Sequence, residues 1–143
     1  MAVDCLLFRV HERTGAIPLA HVVEVMRPLP IRTIASAPAF VLGAAVIRGE
    51  AVPVVDAASL LGAPRRAPTR FVTLRVGARR VALAVGEVLG ASRIDAGAFA
   101  GVPPLFAGAG DAVASLGAID AELFVLLEAA RLVPESLSVG EAP

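Results

Sequence analysis

Residues 46–56 read VIRGEAVPVVD, two β-branched runs interrupted by Arg48, Gly49 and Glu50, with Pro53 inside the second run. β-branched side chains suit a pleated strand better than a helix turn. Glycine accepts a bend or a positive φ at little steric cost, so the chain is predicted to reverse at Gly49 with Arg48 and Glu50 flanking the corner in solvent. Pro53 has no N–H for a ladder bond, which assigns it to an edge strand or a bulge. Asp56 then opens DAASLLG, where its carboxylate can cap a short helix and Gly62 can end it. The element reads as strand, tight corner, edge strand and helix cap. Arg48 at such a corner is either a solvated turn residue or a contact kept for a partner.

Working outward, short apolar runs recur between Gly, Pro and Asp punctuation. Strands are predicted at 4–11, 15–19, 41–48, 50–55, 70–76, 79–85, 87–93, 113–119 and 122–127, with hairpin turns at Gly77 and Asp120. Helical signals are few: LAHVVEVM (19–26), the segment from Asp56, and LEAARLV (127–133) before Pro134. The stretch GAPRRAPT (62–69) reads as a linker, 94–112 as a crossing loop, and 134–143 as a frayed tail. So many short strands indicate an all-β barrel or sandwich with accessory helices.

The composition narrows the chemistry. The chain has 143 residues, 57% of them hydrophobic and 18% charged, enough to bury a core without metal or disulfide. Thirteen basic residues balance thirteen acidic ones, so no global field attracts nucleic acid or anionic lipid. All the basic residues are arginine, which removes Schiff-base and phosphate-loop lysines. The single Cys5 excludes a disulfide within the chain and suits a reducing compartment. No apolar run reaches the roughly 18–20 residues of a spanning helix, and Asp4 and Arg9 interrupt any signal-peptide pattern. A soluble, cytoplasmic protein is expected.

Catalytic motifs are weak. His11, in the turn HERTG, reads as a solvated hairpin residue, and His21 as a surface or groove residue. A metal site would need further ligands from carboxylates. There is no G-x-S-x-G elbow among six serines, and GAGDA (108–112) lacks the lysine of a phosphate cradle. Asp120 and Glu122 bracket a turn, and APRRAPTR (63–70) is a small basic linker. Surplus apolar surface is more distinctive: Val22, Val23, Val25 and Met26 surround Glu24, a patch suited to another protein's helical face. A metabolite-binding or hydrolytic barrel is the remaining alternative on residues alone.

The stretch PAFVLGAAVIRGEAVPVVDAASLLG (38–62) resembles the central signature of the CheW family, the bacterial chemotaxis coupling proteins. FRVHERTGAIPLAHVVEVMRPLPIRTIASAP (8–38), TRFVTLRVGARRVALAVGEVLG (69–90) and LGAIDAELFVLLEAARLV (116–133) resemble its flanking segments in the same order. The resemblance implies a fold of two intertwined five-stranded SH3-like barrels, the first at about 1–62 plus 128–136 and the second at about 68–127. It implies a non-catalytic adaptor without cofactor or metal. Its partners would be the signalling tip of a methyl-accepting chemoreceptor, bound in the groove between barrels, and the regulatory domain of a chemotaxis histidine kinase. Neither nucleic acid nor direct membrane insertion is implied, and the protein would sit in the cytoplasm beside membrane receptor arrays. The family's receptor-facing positions match Val22, Glu24 and Arg48, the last two as an ion pair. Its structural motif matches Gly43, Gly49, Pro53 and Asp56. Val46, Gly86 and Arg70 depart from the family's pattern. The alternatives are a relative that binds receptors but not the kinase, and a regulatory domain detached from a larger kinase.

Overall fold

Strand β1 (Ala2–Val10) is apolar without a break from Cys5 to Phe8, because both of its faces are covered. Leu6, Phe8 and Val10 point into one hydrophobic cluster, while Cys5 and Leu7 point into another with Ala16, Leu89 and Ile94. The computed structural model describes residues 2–37, 39–60, 63–95, 97 and 131–133, and the architecture below concerns these. A two-residue turn at His11 and Glu12 leads to β2 (Arg13–Pro18), then a 3-10 turn (Leu19–His21) to β3 (Val22–Met26). There follow β4 (Val41–Ile47), β5 (Glu50–Asp56), the one-turn helix α1 (Ala57–Leu60), β6 (Arg70–Val76), β7 (Arg79–Val85), β8 (Glu87–Asp95) and β9 (Arg131–Val133).

Among the described residues these strands form two sheets, one ordered β8-β1-β2-β9 and one ordered β3-β6-β7-β5-β4. All pairings are antiparallel except β5–β7. The all-β class expected from sequence is the class observed. One sheet has the five strands expected of each barrel and the other shows four among the described residues. Both sheets draw strands from either side of the 62–69 linker, β1 and β2 with β8, and β3 to β5 with β6 and β7.

Between the sheets lies a shared core. Phe8 and Ile17 from the first sheet meet Val55, Val72, Leu74 and Leu83 from the second, with Leu60 of α1 sealing the cluster. Burying a side chain the size of Phe8 contributes about 1.5–3 kcal/mol. The other face of the five-stranded sheet has its own cluster, built from Ile47, Val52, Val54, Phe71, Ala82 and Ala84, against which Met26 of β3 packs. All five strands thus send side chains to one cluster, so the sheet curls around it.

Several sequence expectations are corrected. Of the helix expected at 19–26, only Leu19–His21 is helical, and Val22–Met26 is a strand paired with β6. Its three valines prefer the pleated conformation once a partner strand is present. The helix expected at 127–133 is replaced, where described, by β9, which pairs Arg131–Val133 with Thr14–Ala16. Strand β5 is not an edge strand: Val54–Asp56 pair with β7 while Glu50–Val55 pair with β4. Pro53 immediately precedes the β7 ladder, so its missing N–H removes no bond on that side. The strands at 113–119 and 122–127, the turn at Asp120 and the tail at 134–143 lie outside the described residues. So do Gly62 and the crossing loop beyond Gly97.

Candidate functional site

The site is built on the two-residue turn between β4 and β5. Ile47 and Glu50 close the ladder, leaving Arg48 and Gly49 as the central residues, with φ of 53° and 80°. Positive φ at both positions is the habit of turns that follow the natural twist of a hairpin. Gly49 adopts it freely, and nothing lies within 4 Å of where its Cβ would be. Arg48 adopts it against the steric preference of an L-residue, at a cost of roughly 1–2 kcal/mol. The reversal at Gly49 agrees with the sequence reading; the strained arginine beside it was not anticipated.

Arg48 is held by Glu24. Its Nη2 donates to Oε1 at 2.9 Å and its Nε to Oε2 at 3.1 Å, a two-bond fork. Glu24 lies on β3 and Arg48 at the tip of β4, and β3 and β4 are the two edges of the five-stranded sheet. The pair therefore bridges the seam where the curled sheet brings its edges together. The Glu24 side chain is 26% exposed and that of Arg48 69%, so the acidic partner is the sheltered one while most of the arginine side chain faces water. Hydrogen bonds from Arg48 are the main cause holding the Glu24 carboxyl below its ordinary range. Partial burial opposes this, and the charges of Arg48 and Arg80 add to it. The same bonds raise the Arg48 pKa.

The backbone of Glu24 is fixed from the neighbouring strand. The ladder between β3 and β6 shifts register between Val22 and Glu24, a bulge at Val23. The Thr73 hydroxyl, buried at 1% exposure, accepts the Glu24 N–H at 3.1 Å and donates to the Glu24 carbonyl at 3.2 Å. Arg80 opposes Arg75 on the adjoining hairpin, adding positive charge near the pair.

The apolar surround is smaller than the sequence implied. Val22 is half-buried against the shared core and Met26 against the second cluster, leaving Val25, 40% exposed, as the open member of the expected patch. Val46, two residues before Arg48 and 69% exposed, supplies apolar surface beside the turn. It lies on the opposite face of β4 from the buried Ala45 and Ile47.

The remaining motif residues have local structural reasons. Gly43 has φ of 146°, and a Cβ there would sit 2.0 Å from the Arg32 carbonyl oxygen, where Arg32 and Ala44 exchange two backbone bonds. Asp56, 4% exposed, accepts the Ser59 hydroxyl at 2.7 Å at the start of α1 and faces Arg65 Nε at 3.5 Å. The linker is therefore pinned and not simply solvated. His11, expected in solvent, is half-buried with its Nε2 2.7 Å from the Pro64 carbonyl, a second tie on the same linker.

A cavity of about 250 Å³ opens between this linker and the β7–β8 junction, lined by Arg9, His11, Asp56, Arg66 and Glu87 among others. None of Val22, Glu24 or Arg48 lines it. Among the described residues no group of three or more His, Cys, Asp or Glu side chains is placed to hold a metal ion. Also among them, no helix is long and apolar enough to cross a membrane.

Thr73, Arg80 and Arg65 were not picked out from sequence. Thr73 did leave a trace, as the polar residue in the otherwise apolar centre of RFVTLRV.

Comparison with known proteins gives three results. Residues 4–136 match the CheW-like domain. The crystal structure of the scaffolding protein TtCheW from Thermoanaerobacter tengcongensis is similar, with a TM-score of 0.64 and 23% identity, covering 73% of this chain and 71% of that one. No curated protein matches in sequence.

Proposed function

The chain belongs to the CheW-like domain family, and from that premise we propose that it is a non-catalytic adaptor. It couples the cytoplasmic signalling tip of a chemoreceptor to a chemotaxis histidine kinase, working in the cytoplasm beside receptor arrays. Val22, Glu24 and Arg48 mark the receptor-facing surface, with Arg48 as the contact and Glu24 as the residue that orients it.

The observation that carries this reading is an arginine kept in a positive-φ turn and fixed by two hydrogen bonds to Glu24, with its side chain still mostly exposed. A turn needing only solubility and positive φ is better served by Asn or Gly. An arginine pre-oriented by a carboxylate loses little further side-chain freedom when it grips a partner, which lowers the entropic cost of binding. Exposed Val46 adds apolar contact area beside it.

The test is a calorimetric titration of a receptor signalling tip into the wild-type protein and into Arg48→Glu. Binding that weakens in the folded variant supports the assignment, and unchanged binding rejects it. A second reading, receptor binding without kinase binding, is favoured by Val46, an exposed apolar residue where the family often carries Asn. Titrating the kinase's regulatory domain separately distinguishes the two.

A further inference from the structure

Strand β3 contains one residue more than its ladder to β6 can use. Pairing passes from Val22 opposite Leu74 directly to Glu24 opposite Thr73, leaving Val23 as the extra residue. A bulge of this kind leaves backbone groups without their usual strand partners. Here the Thr73 hydroxyl serves both Glu24 backbone groups, accepting from the N–H at 3.1 Å and donating to the carbonyl at 3.2 Å. Thr73 is 1% exposed, on a strand whose neighbours Phe71, Val72 and Leu74 are all buried and apolar. A valine would fill the same space without a hydroxyl to desolvate, so the hydroxyl is retained for the bonds it makes.

We propose that Thr73 is a positioning residue that locks the Val23 bulge and so aims the Glu24 side chain at Arg48. The side-chain period of a strand is two, so a slip of one residue turns every side chain to the opposite face. In the observed register Glu24 and Met26 share one face and Val25 takes the other, with Met26 packed on the second cluster. An unbulged ladder would restore continuous strand bonds but place Glu24 opposite Val72, on the face of the shared core. Thr73 makes the bulged register the satisfied one. Its importance for partner binding rests on the function proposed above; the lock itself does not.

The experiment follows the Glu24 carboxyl by NMR pH titration in wild type, Thr73→Ser and Thr73→Val, with circular dichroism to verify folding. Besides Arg48, the cation acting on this carboxyl is Arg80, and neither is altered. Wild type and Thr73→Ser are expected to titrate below the ordinary glutamate value, and Thr73→Val to move up toward it. A folded Thr73→Val that keeps the low titration overturns the proposal, as does a Thr73→Ser that loses it. Amide exchange in the wild-type protein decides the matter if Thr73→Val does not fold. The Glu24 N–H is then expected to exchange slowly, and exchange at an open-chain rate overturns the lock. Neither measurement uses a partner, so failure of receptor binding and failure of the lock are separate results.

Discussion

Arg48 and Glu24 are 24 positions apart in sequence and lie at opposite edges of one sheet, yet their side chains meet in a fork of 2.9 and 3.1 Å. The pair ties the seam of the curled sheet, and it holds the Arg48 side chain, still mostly exposed, in one direction.

The pH dependence of this pair has a definite sign. Arg48 holds the folded Glu24 carboxyl below its ordinary value of 4.5, so the unfolded chain takes up a proton there first as acid is added. The pair's contribution is complete above that value and is lost as pH falls through the lower folded value. Urea denaturation of wild type and Glu24→Gln between pH 7 and pH 2 is expected to show a stability difference that shrinks in acid. A difference that grows in acid would contradict the assignment.

Gly43 is expected to resist substitution. Its φ of 146° and the 2.0 Å approach of the Arg32 carbonyl oxygen to any added Cβ leave alanine no unstrained conformation. Gly43→Ala should lower unfolding stability by roughly 1–3 kcal/mol, the usual range for a strained backbone position. The β4–β5 ladder shifts register between Val41 and Gly43, and a denaturation midpoint equal to wild type would show that this irregularity relaxes freely.

The Cys5 thiol is expected to be inert in the folded protein. Burial raises its pKa above the ordinary 9.0, and the neighbouring Asp4 adds to the shift. The thiolate is the reactive form, so it is scarce and shielded at neutral pH. A thiol reagent should modify Cys5 at the rate of unfolding; prompt stoichiometric labelling of native protein would contradict its burial.

Much of the fold was legible because its signals are local. The reversal at Gly49, the hairpin at Gly77 and the strands flanking both follow from β-branched runs broken by glycine. Misreadings came where tertiary pairing overrides local pattern. LAHVVEVM carries a helical rhythm, but β6 is available to pair with its valines, so only the first turn stays helical. Pro53 signalled an edge correctly at its own position and wrongly for its strand, because the second partner begins one residue later. At the site, Glu24 and Arg48 were named through family resemblance. The Thr73 hydroxyl that sets the Glu24 backbone lies 49 positions away and is invisible without the register.

The most direct test of the central claim is a charge exchange. Glu24→Arg combined with Arg48→Glu rebuilds an ion pair across the seam but places a carboxylate where the proposed receptor contact is a guanidinium. Receptor-tip affinity and urea stability should be measured for both single variants and for the double variant. The expected result is that stability recovers in the double variant while affinity stays about tenfold or more below wild type, the scale of a residue at the centre of an interface. Recovery of affinity together with stability would contradict the account, because Arg48 would then be a fastener of the sheet and not the group that grips the receptor.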